Sequence, residues 1–542
     1  MAYTKPGVEI TQVQTTAQPI LTAPDMIGCI IGEGFWWQDP SWDDSTDTVR
    51  YSVFATQYEN NYLFVPYSGI NSTYNTNVLE GSVIVDLLPT QGDGAGILVN
   101  VLTSQFTTTA SGIYIDASLI SSGAKADIHV GFLAKNPDNV EQFGTLSSLS
   151  DIRDAIGEPV SWNPLAYGIY TAMVNAGTEI SYIGVSGFTA DNFGEALDNL
   201  ASEEVYAIAP MSQLAVTATY KTHVEAQSAA AGKKERIAFL NSITPWTGTP
   251  HAESTSDKTT TAESLRDTNS AVRSKRIFAT FPDIAYIQER RHISSVHPAW
   301  LDAVYTRYTP AGISFADSNT YNVYALLASD LKLSGTLYKK GTKITAANWT
   351  TLKAAGWADG GMVTVLAPVP GYYYAAELLG LRIGNSPSQS LTNIALGLAK
   401  RTYGSQDYFS ETQLNTMAEG GTFIMTQANS NSPVVSRHQL STDVTSIAKR
   451  ELSITSAIDF AAKFVRQSIN PYIGNTNITT NFITLINTIL VGIGLYLVRQ
   501  EIVADFSIVS VTQDSISPDV LNVDIEVLPL YPSNYIRIKM IF

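Results

Sequence analysis

Apolar and polar positions first alternate in Gly7-Val8-Glu9-Ile10-Thr11-Gln12-Val13, where Val8 and Ile10 share one face and Glu9 takes the other, as in a short half-buried strand. A stretch with Pro19 and Pro24 follows, and the apolar run Met26–Ile31 predicts a core strand. From Gly32 to Gly96 the chain is rich in Trp, Tyr, Ser, Thr and Asn without helical periodicity. Strand-like runs continue to Gly131, centred on Ile97-Leu98-Val99, Ile113-Tyr114-Ile115 and Ile128-His129-Val130, so the region predicts a β-rich insertion. The period changes after Thr145. Ser150-Asp151 predicts the cap of a short helix ending near Gly157, and Pro164–Ala176 carries apolar residues at helical spacing up to a stop at Gly177. Strands at Tyr182–Val185 and Val205–Ala209 then alternate with helices at Phe193–Leu200 and Ala215–Gly232, the rhythm of an α/β domain.

The polar run Thr247–Thr268 reads as an exposed loop. Beyond it the pattern predicts a strand at Ile277–Ile287, a helix at Tyr321–Leu333, a small exposed insertion at Lys339–Ala358 and a helix at Tyr372–Leu381. Thr442–Ser468 predicts a long amphipathic helix, with Val444, Ile447, Leu452, Ile454, Ile458, Phe460, Ala461, Phe464 and Val465 at largely helical spacing. Phe482–Val498 carries no charge and approaches the length of a membrane span, but Thr484, Asn487, Thr488, Gly492 and Gly494 interrupt it, so a buried helix is expected. Strands at Phe506–Val511 and Val520–Leu528 flank a turn at Ser517-Pro518-Asp519. Tyr535–Phe542 is a further strand pattern: Ile536, Ile538, Met540 and Phe542 lie on one face, Arg537 and Lys539 on the other. Pro529 and Pro532 limit its pairing with the strand before it.

With 542 residues, 44% of them hydrophobic, the chain is long enough for two to four domains with sizeable cores. Lys and Arg total 33 against 49 Asp and Glu, a formal net charge of −16, and such a surface repels nucleic acid and anionic membrane. Only 15% of residues are charged while 10% are aromatic, a balance that suits a surface covered by neighbouring subunits. Cys29 is the sole cysteine, which excludes intrachain disulfides and cysteine-based zinc sites. MAYTKPGVEITQVQ lacks the apolar core of a secretory signal, so synthesis in the cytoplasm is expected.

Catalytic signatures are missing: the chain has no GxxxxGK[ST], HExxH or GxSxG. Gly92-Asp93-Gly94-Ala95-Gly96 has no following helix pattern and reads as a turn. His292 and His297 are five apart, an awkward spacing for one helical face, and lack a third ligand nearby in sequence. The adjacent pairs Asp43-Asp44 and Glu203-Glu204 read as solvated surface. No enzyme activity, cofactor or metal is expected.

Several segments, in order, resemble the contractile-tail sheath family of myophages and related injection machines. The opening PGVEI looks like the family's N-terminal arm, and LPLYPSNYIRIKMIF is similar to its Pro-bracketed terminal strand. Asp151–Val185, with NAGTEISYIGV, resembles its glycine-terminated helix and following strand, and Ser410–Thr442 its lead into a shared C-terminal domain. Residues 32–131 and the insertion Lys339–Ala358 match nothing in the family. The resemblance implies a mixed α+β and α/β multidomain fold: an N-terminal arm at 1–24, a β-rich and mostly outward insertion at 25–131, a middle α/β domain at 132–365, a C-terminal domain facing the tube at 366–528 and an arm strand at 529–542.

It also implies a virion tail component, assembled in the host cytoplasm, that polymerises helically in hexameric rings and contracts during genome ejection. Its partners would be the tail tube protein, gripped through Thr442–Ser468, and the baseplate and tail terminator proteins, with no nucleic acid and no membrane insertion. Val8, Ile10 and Val13 in one arm and Ile536, Ile538, Met540 and Phe542 in the other would add as strands to neighbouring copies. The residue pattern alone also describes ordinary strands of their own domain. Alternatives are another structural polymer of a tail, such as a baseplate or tube-associated subunit, and a glycan hydrolase.

Overall fold

The computed structural model describes the side chains of residues 23–34, 140–242, 254–287, 369–429 and 432–540, apart from positions 158, 160–162, 188, 213–215, 398, 401–408 and 535. Residues 35–38, 401–402 and strands within 51–135 and 288–368 are described by backbone alone. The chain divides into two compact units, 26–455 with 532–542, and 1–25 with 456–531.

The larger unit is built on an eight-stranded sheet. Its strands are β1 (Gly28–Gly32), β2 (Phe143–Leu146), β3 (Ile180–Gly184), β4 (Ala207–Pro210), β5 (Ile237–Asn241), β6 (Ile277–Phe281), β7 (Thr422–Thr426) and β8 (Val435–Ser436), in the order β2-β3-β1-β4-β5-β6-β7-β8. The six inner strands run parallel, and β2 and β8 close the edges antiparallel. Ile30 sits between Tyr182 and Ala209 in register. GCIIG, ISYIG, AIAP, IAFLN and IFATF are buried throughout, the near-continuous apolar strand of a parallel sheet covered on both faces.

Successive side chains feed different cores. Ile30 joins the one containing α2 (Pro164–Ala176) and α6 (Tyr372–Gly384), while Cys29 and Ile31 join the one made with α3 (Ala190–Leu200) and α4 (Thr217–Ser228). The short α1 (Leu149–Ala155) is capped by the Ser148 side chain, and Gly177 ends α2 in the left-handed region at φ 65°. The helix α6 is buried nearly all round. A Cβ on Gly380 would stand 2.2 Å from the carbonyl oxygen of Ala172, so α2 and α6 meet backbone to backbone.

Several expectations are corrected. The polar run expected as a loop enters α5 (Thr255–Val272) from Thr255 onward, and the helix is started by a capping box between Ser254 and Asp257. It buries Thr261, Ala262, Leu265 and Asn269, and Asn269 donates to the Thr422 hydroxyl at 2.8 Å. Polar side chains do part of the packing, so no apolar stripe announces the helix. The helix expected at Tyr321–Leu333 is instead strands Tyr321–Asn322, Tyr324–Leu327 and Leu331–Leu333, the second paired with Met362–Pro370. A distant partner overrides local spacing there.

The single strand expected at Ile277–Ile287 is two: β6, and Ile284–His292, which lies between Met362–Pro370 and Ala399–Thr402 in a separate antiparallel sheet. Strands within 35–135 pair antiparallel in further sheets. Gly92–Gly96, Asp43-Asp44, His297 and most of Lys339–Ala358 lie outside the described residues.

The helix expected at Thr442–Ser468 is α8 (Ile447–Arg450) and α9 (Leu452–Ile469), with α7 (Glu411–Glu419) preceding β7. Thr442 exchanges hydrogen bonds with the Ser274 backbone and Asp443 accepts from Thr445, so side chains compete with helix formation before Ile447. Glu451, bridged to Leu440, separates the two helices.

In the smaller unit, the Phe464 ring stands edge-on to Tyr496 of α10 (Thr480–Arg499) at 5.2 Å. The helix α10 is long and apolar enough to cross a membrane by length and composition. The buried helix expected there is buried on one face only: Ile486, Ile489, Leu490, Ile493 and Leu497 are covered, while Val491, Leu495 and Val498 are exposed. The strands expected at Phe506–Val511 and Val520–Leu528 are present as β9 (Val503–Gln513) and β10 (Leu521–Pro529), whereas residues 536–540, expected within a terminal strand, form none because no ladder partner lies beside them among the described residues.

Candidate functional site

The hairpin of β9 and β10 has its register fixed by alternation. Phe506, Ile508, Val511, Leu521, Val523, Ile525 and Val527 are half-buried, while Asp505, Ser507, Val509, Asn522, Asp524 and Glu526 are exposed. Phe506 lies opposite Val527 and Ile508 opposite Ile525, and the ladder shifts by a residue around Val509. The Phe506 ring fills the space beside Gly494, where a Cβ would stand 2.6 Å from it. The half-buried face of the hairpin therefore packs towards α10. β9 and β10 pair only with each other among the described residues, so each keeps an outer edge of backbone donors and acceptors.

The segment after β10 is described with the larger unit. Asn534 is held there by a buried carboxylate, donating to Glu451 Oε1 at 2.9 Å. The same carboxylate accepts from His438 Nε2 at 3.0 Å, Arg450 Nε at 3.1 Å and Gln439 Nε2 at 3.3 Å. Burial pushes the Glu451 carboxyl up, but the hydrogen bonds and charge around it win and hold it below its ordinary value, so Glu451 is an anion at neutral pH. Beyond this clamp Ile536, Ile538 and Met540 are 81%, 80% and 83% exposed, and residues 536–540 join no helix or sheet of the chain.

Of the residues expected to form inter-subunit strands, the structure thus places Ile536, Ile538 and Met540 on an unpaired, exposed segment. Val8, Ile10, Val13 and Phe542 lie outside the described residues. Sequence reading missed Glu451, His438 and Asn534. They are isolated polar residues far apart in the chain, and no spacing links them.

Among the described residues no three His, Cys, Asp or Glu side chains are grouped to hold a metal. Cys29 is fully buried, and burial pushes its thiol far above the ordinary range, so it is a packing residue. His223 Nε2 lies 2.6 Å from Nη1 of the buried Arg236, whose Nη2 donates to the Leu200 carbonyl. Burial and the neighbouring guanidinium depress the imidazole to about 4, so His223 is a neutral acceptor in a structural bond.

No family model matches the sequence, and no curated protein matches it. Solved structures to which the chain is similar include sheath proteins of contractile injection systems and tail sheath proteins. The helical sheath of the anti-feeding prophage in its contracted state is 11% identical, with a TM-score of 0.45 over 75% of this chain and 89% of that one. The sheath complex of the extracellular contractile injection system PVC, also contracted, is 10% identical, with a TM-score of 0.45 over 74% and 87%. A sheath tail protein from Desulfitobacterium hafniense is 10% identical, with a TM-score of 0.37 over 97% and 100%.

Proposed function

We propose that this protein is a structural subunit of a contractile sheath, polymerising helically around an inner tube and shortening to drive that tube through an envelope. The observation that carries the reading is the exposed, alternating segment Ile536–Met540, which lies in no sheet, while a two-stranded hairpin of the same chain keeps both outer edges open among the described residues. An apolar strand without a ladder and a ladder without neighbours are complementary halves of strand addition between copies. The ordered sequence resemblances to sheath proteins support the same reading, and the N-terminal Val8, Ile10 and Val13 would form the second added strand. The partners are further copies of the chain, a tube protein along the inner wall, and baseplate and terminator proteins at the ends of the helix. The role is mechanical, and no catalysis is assigned to it.

Negative-stain electron microscopy of the purified chain at rising concentration tests the proposal. Hollow, helically striated cylinders are the expected result. A chain that stays monomeric at every concentration, with or without its tube protein, would sink it.

A further inference from the structure

The chain leaves the larger unit after Thr455, within α9, and rejoins it at Pro532. Glu451 stands just before the exit and Asn534 just after the return, and their side chains meet at 2.9 Å. One carboxylate thus pins the returning chain beside the outgoing one. Among the described residues, every hydrogen bond from 530–540 to the rest of the chain comes from the Asn534 amide; the Asn534 N–H itself donates only to the nearby Pro532 carbonyl at 3.0 Å. Packing adds little, since Leu530, Tyr531 and Ser533 are exposed, and Pro532 has no backbone donor to contribute.

We propose that the Glu451–Asn534 contact is a releasable latch that gives the C-terminal segment two free lengths, a short one while it is closed and a long one when it opens. Closed, the free segment is 535–542, which spans about 26 Å when extended. Open, it begins where β10 ends and runs over 530–542, about 43 Å. Whatever grips its far end can then be held at two separations without letting go.

Two features of the geometry favour opening at this point. Glu451 is fully buried, yet it keeps His438 Nε2 at 3.0 Å, Arg450 Nε at 3.1 Å and Gln439 Nε2 at 3.3 Å when Asn534 departs, so no buried charge is stranded, and the half-buried amide passes to water. Asn534 Nδ2 also lies 3.3 Å from His438 Nε2. That nitrogen can donate to the carboxylate or accept from the amide, but not both. Beside an anion at 3.0 Å it is the donor, so a donor faces a donor at Asn534 and the mismatch ends when the latch opens.

The test is a distance measurement in the full-length monomer by pulsed electron paramagnetic resonance, with spin labels at Ser446→Cys and Ile536→Cys, both exposed positions. Cys29 is fully buried, which confines labelling to the two introduced thiols. The otherwise unaltered chain should give one short-distance population. N534A, which removes the donor, and N534D, which sets a second carboxylate against Glu451, should each move the far limit of the distribution out by about 17 Å. In E451Q/N534D the amide and the carboxylate exchange places and the bond can form in reverse, so the short population should return. Circular dichroism checks that each variant is folded, and N534A, which adds no charge, carries the measurement if N534D does not fold. The latch is overturned if the chain without changes at 451 and 534 already shows the long distances, if N534A leaves the distribution as it was, or if E451Q/N534D stays as open as N534D. None of these outcomes touches the sheath reading, which rests on assembly.

Discussion

His223 illustrates what burial, with a guanidinium beside it, does to an imidazole. Its imidazole accepts from Arg236 only when neutral, and its value in the folded chain, about 4, lies below the ordinary 6.5. Below pH 6.5 the unfolded chain therefore takes up a proton that the folded chain refuses. The contribution of this site is complete above pH 6.5 and is lost progressively as pH falls towards about 4. Thermal melts across that window should show a decline that His223→Gln flattens, because the amide oxygen can still accept but does not titrate; an unchanged decline would place its origin elsewhere. Nothing in the sequence marks His223, Arg236 or the Asn534–Glu451 contact, since each depends on which backbone carbonyls or side chains the fold brings within reach.

Among elements, the contact of α2 with α6 is the tightest test of packing. The barrier at Gly380 is the Ala172 carbonyl oxygen, part of a buried backbone that cannot rotate away. Gly380→Ala should force the helices apart and cost about 1–3 kcal/mol, seen as a lower denaturant midpoint with an unchanged slope. At Gly494 the obstacle is the Phe506 ring, a side chain that can turn, so Gly494→Ala should cost less than Gly380→Ala; the reverse order would contradict the packing described. The helices and strands legible in the sequence are those with an apolar period, such as Pro164–Ala176 and the hairpin strands. Those that were not legible, α5 and the strand Tyr324–Leu327, depend on a polar stripe and on a remote ladder partner respectively.

For the whole molecule the decisive quantity is how little one arm contributes. Burying four apolar side chains gains roughly 1.5–3 kcal/mol each, about 6–12 kcal/mol in all. Ordering about eight residues costs ~1–2 kcal/mol each, so a single added strand is close to neutral. Several simultaneous contacts must then reinforce one another, and assembly should show a sharp critical concentration. Deleting residues 7–13, or separately 535–542, should leave a folded monomer with an unchanged far-ultraviolet spectrum and no assembly at tenfold that concentration, measured by light scattering. Normal assembly of either truncated chain would remove the arms from the mechanism.

The sequence by itself determined the alternation of strands and helices from 150 to 232, the alternating surface of residues 536–540, the excess of acid and the burial of an apolar strand at Cys29, because these follow from period and composition along neighbouring residues. It did not determine that β1 and β7, nearly four hundred residues apart, share one sheet with the strands between them, or that Ile284–His292 leaves that sheet for another. Those outcomes, the open edges of the hairpin and the carboxylate that holds Asn534 were decided by tertiary structure alone. Hydrogen-bond partners remote in the chain must be brought together before a backbone edge is either satisfied or left open.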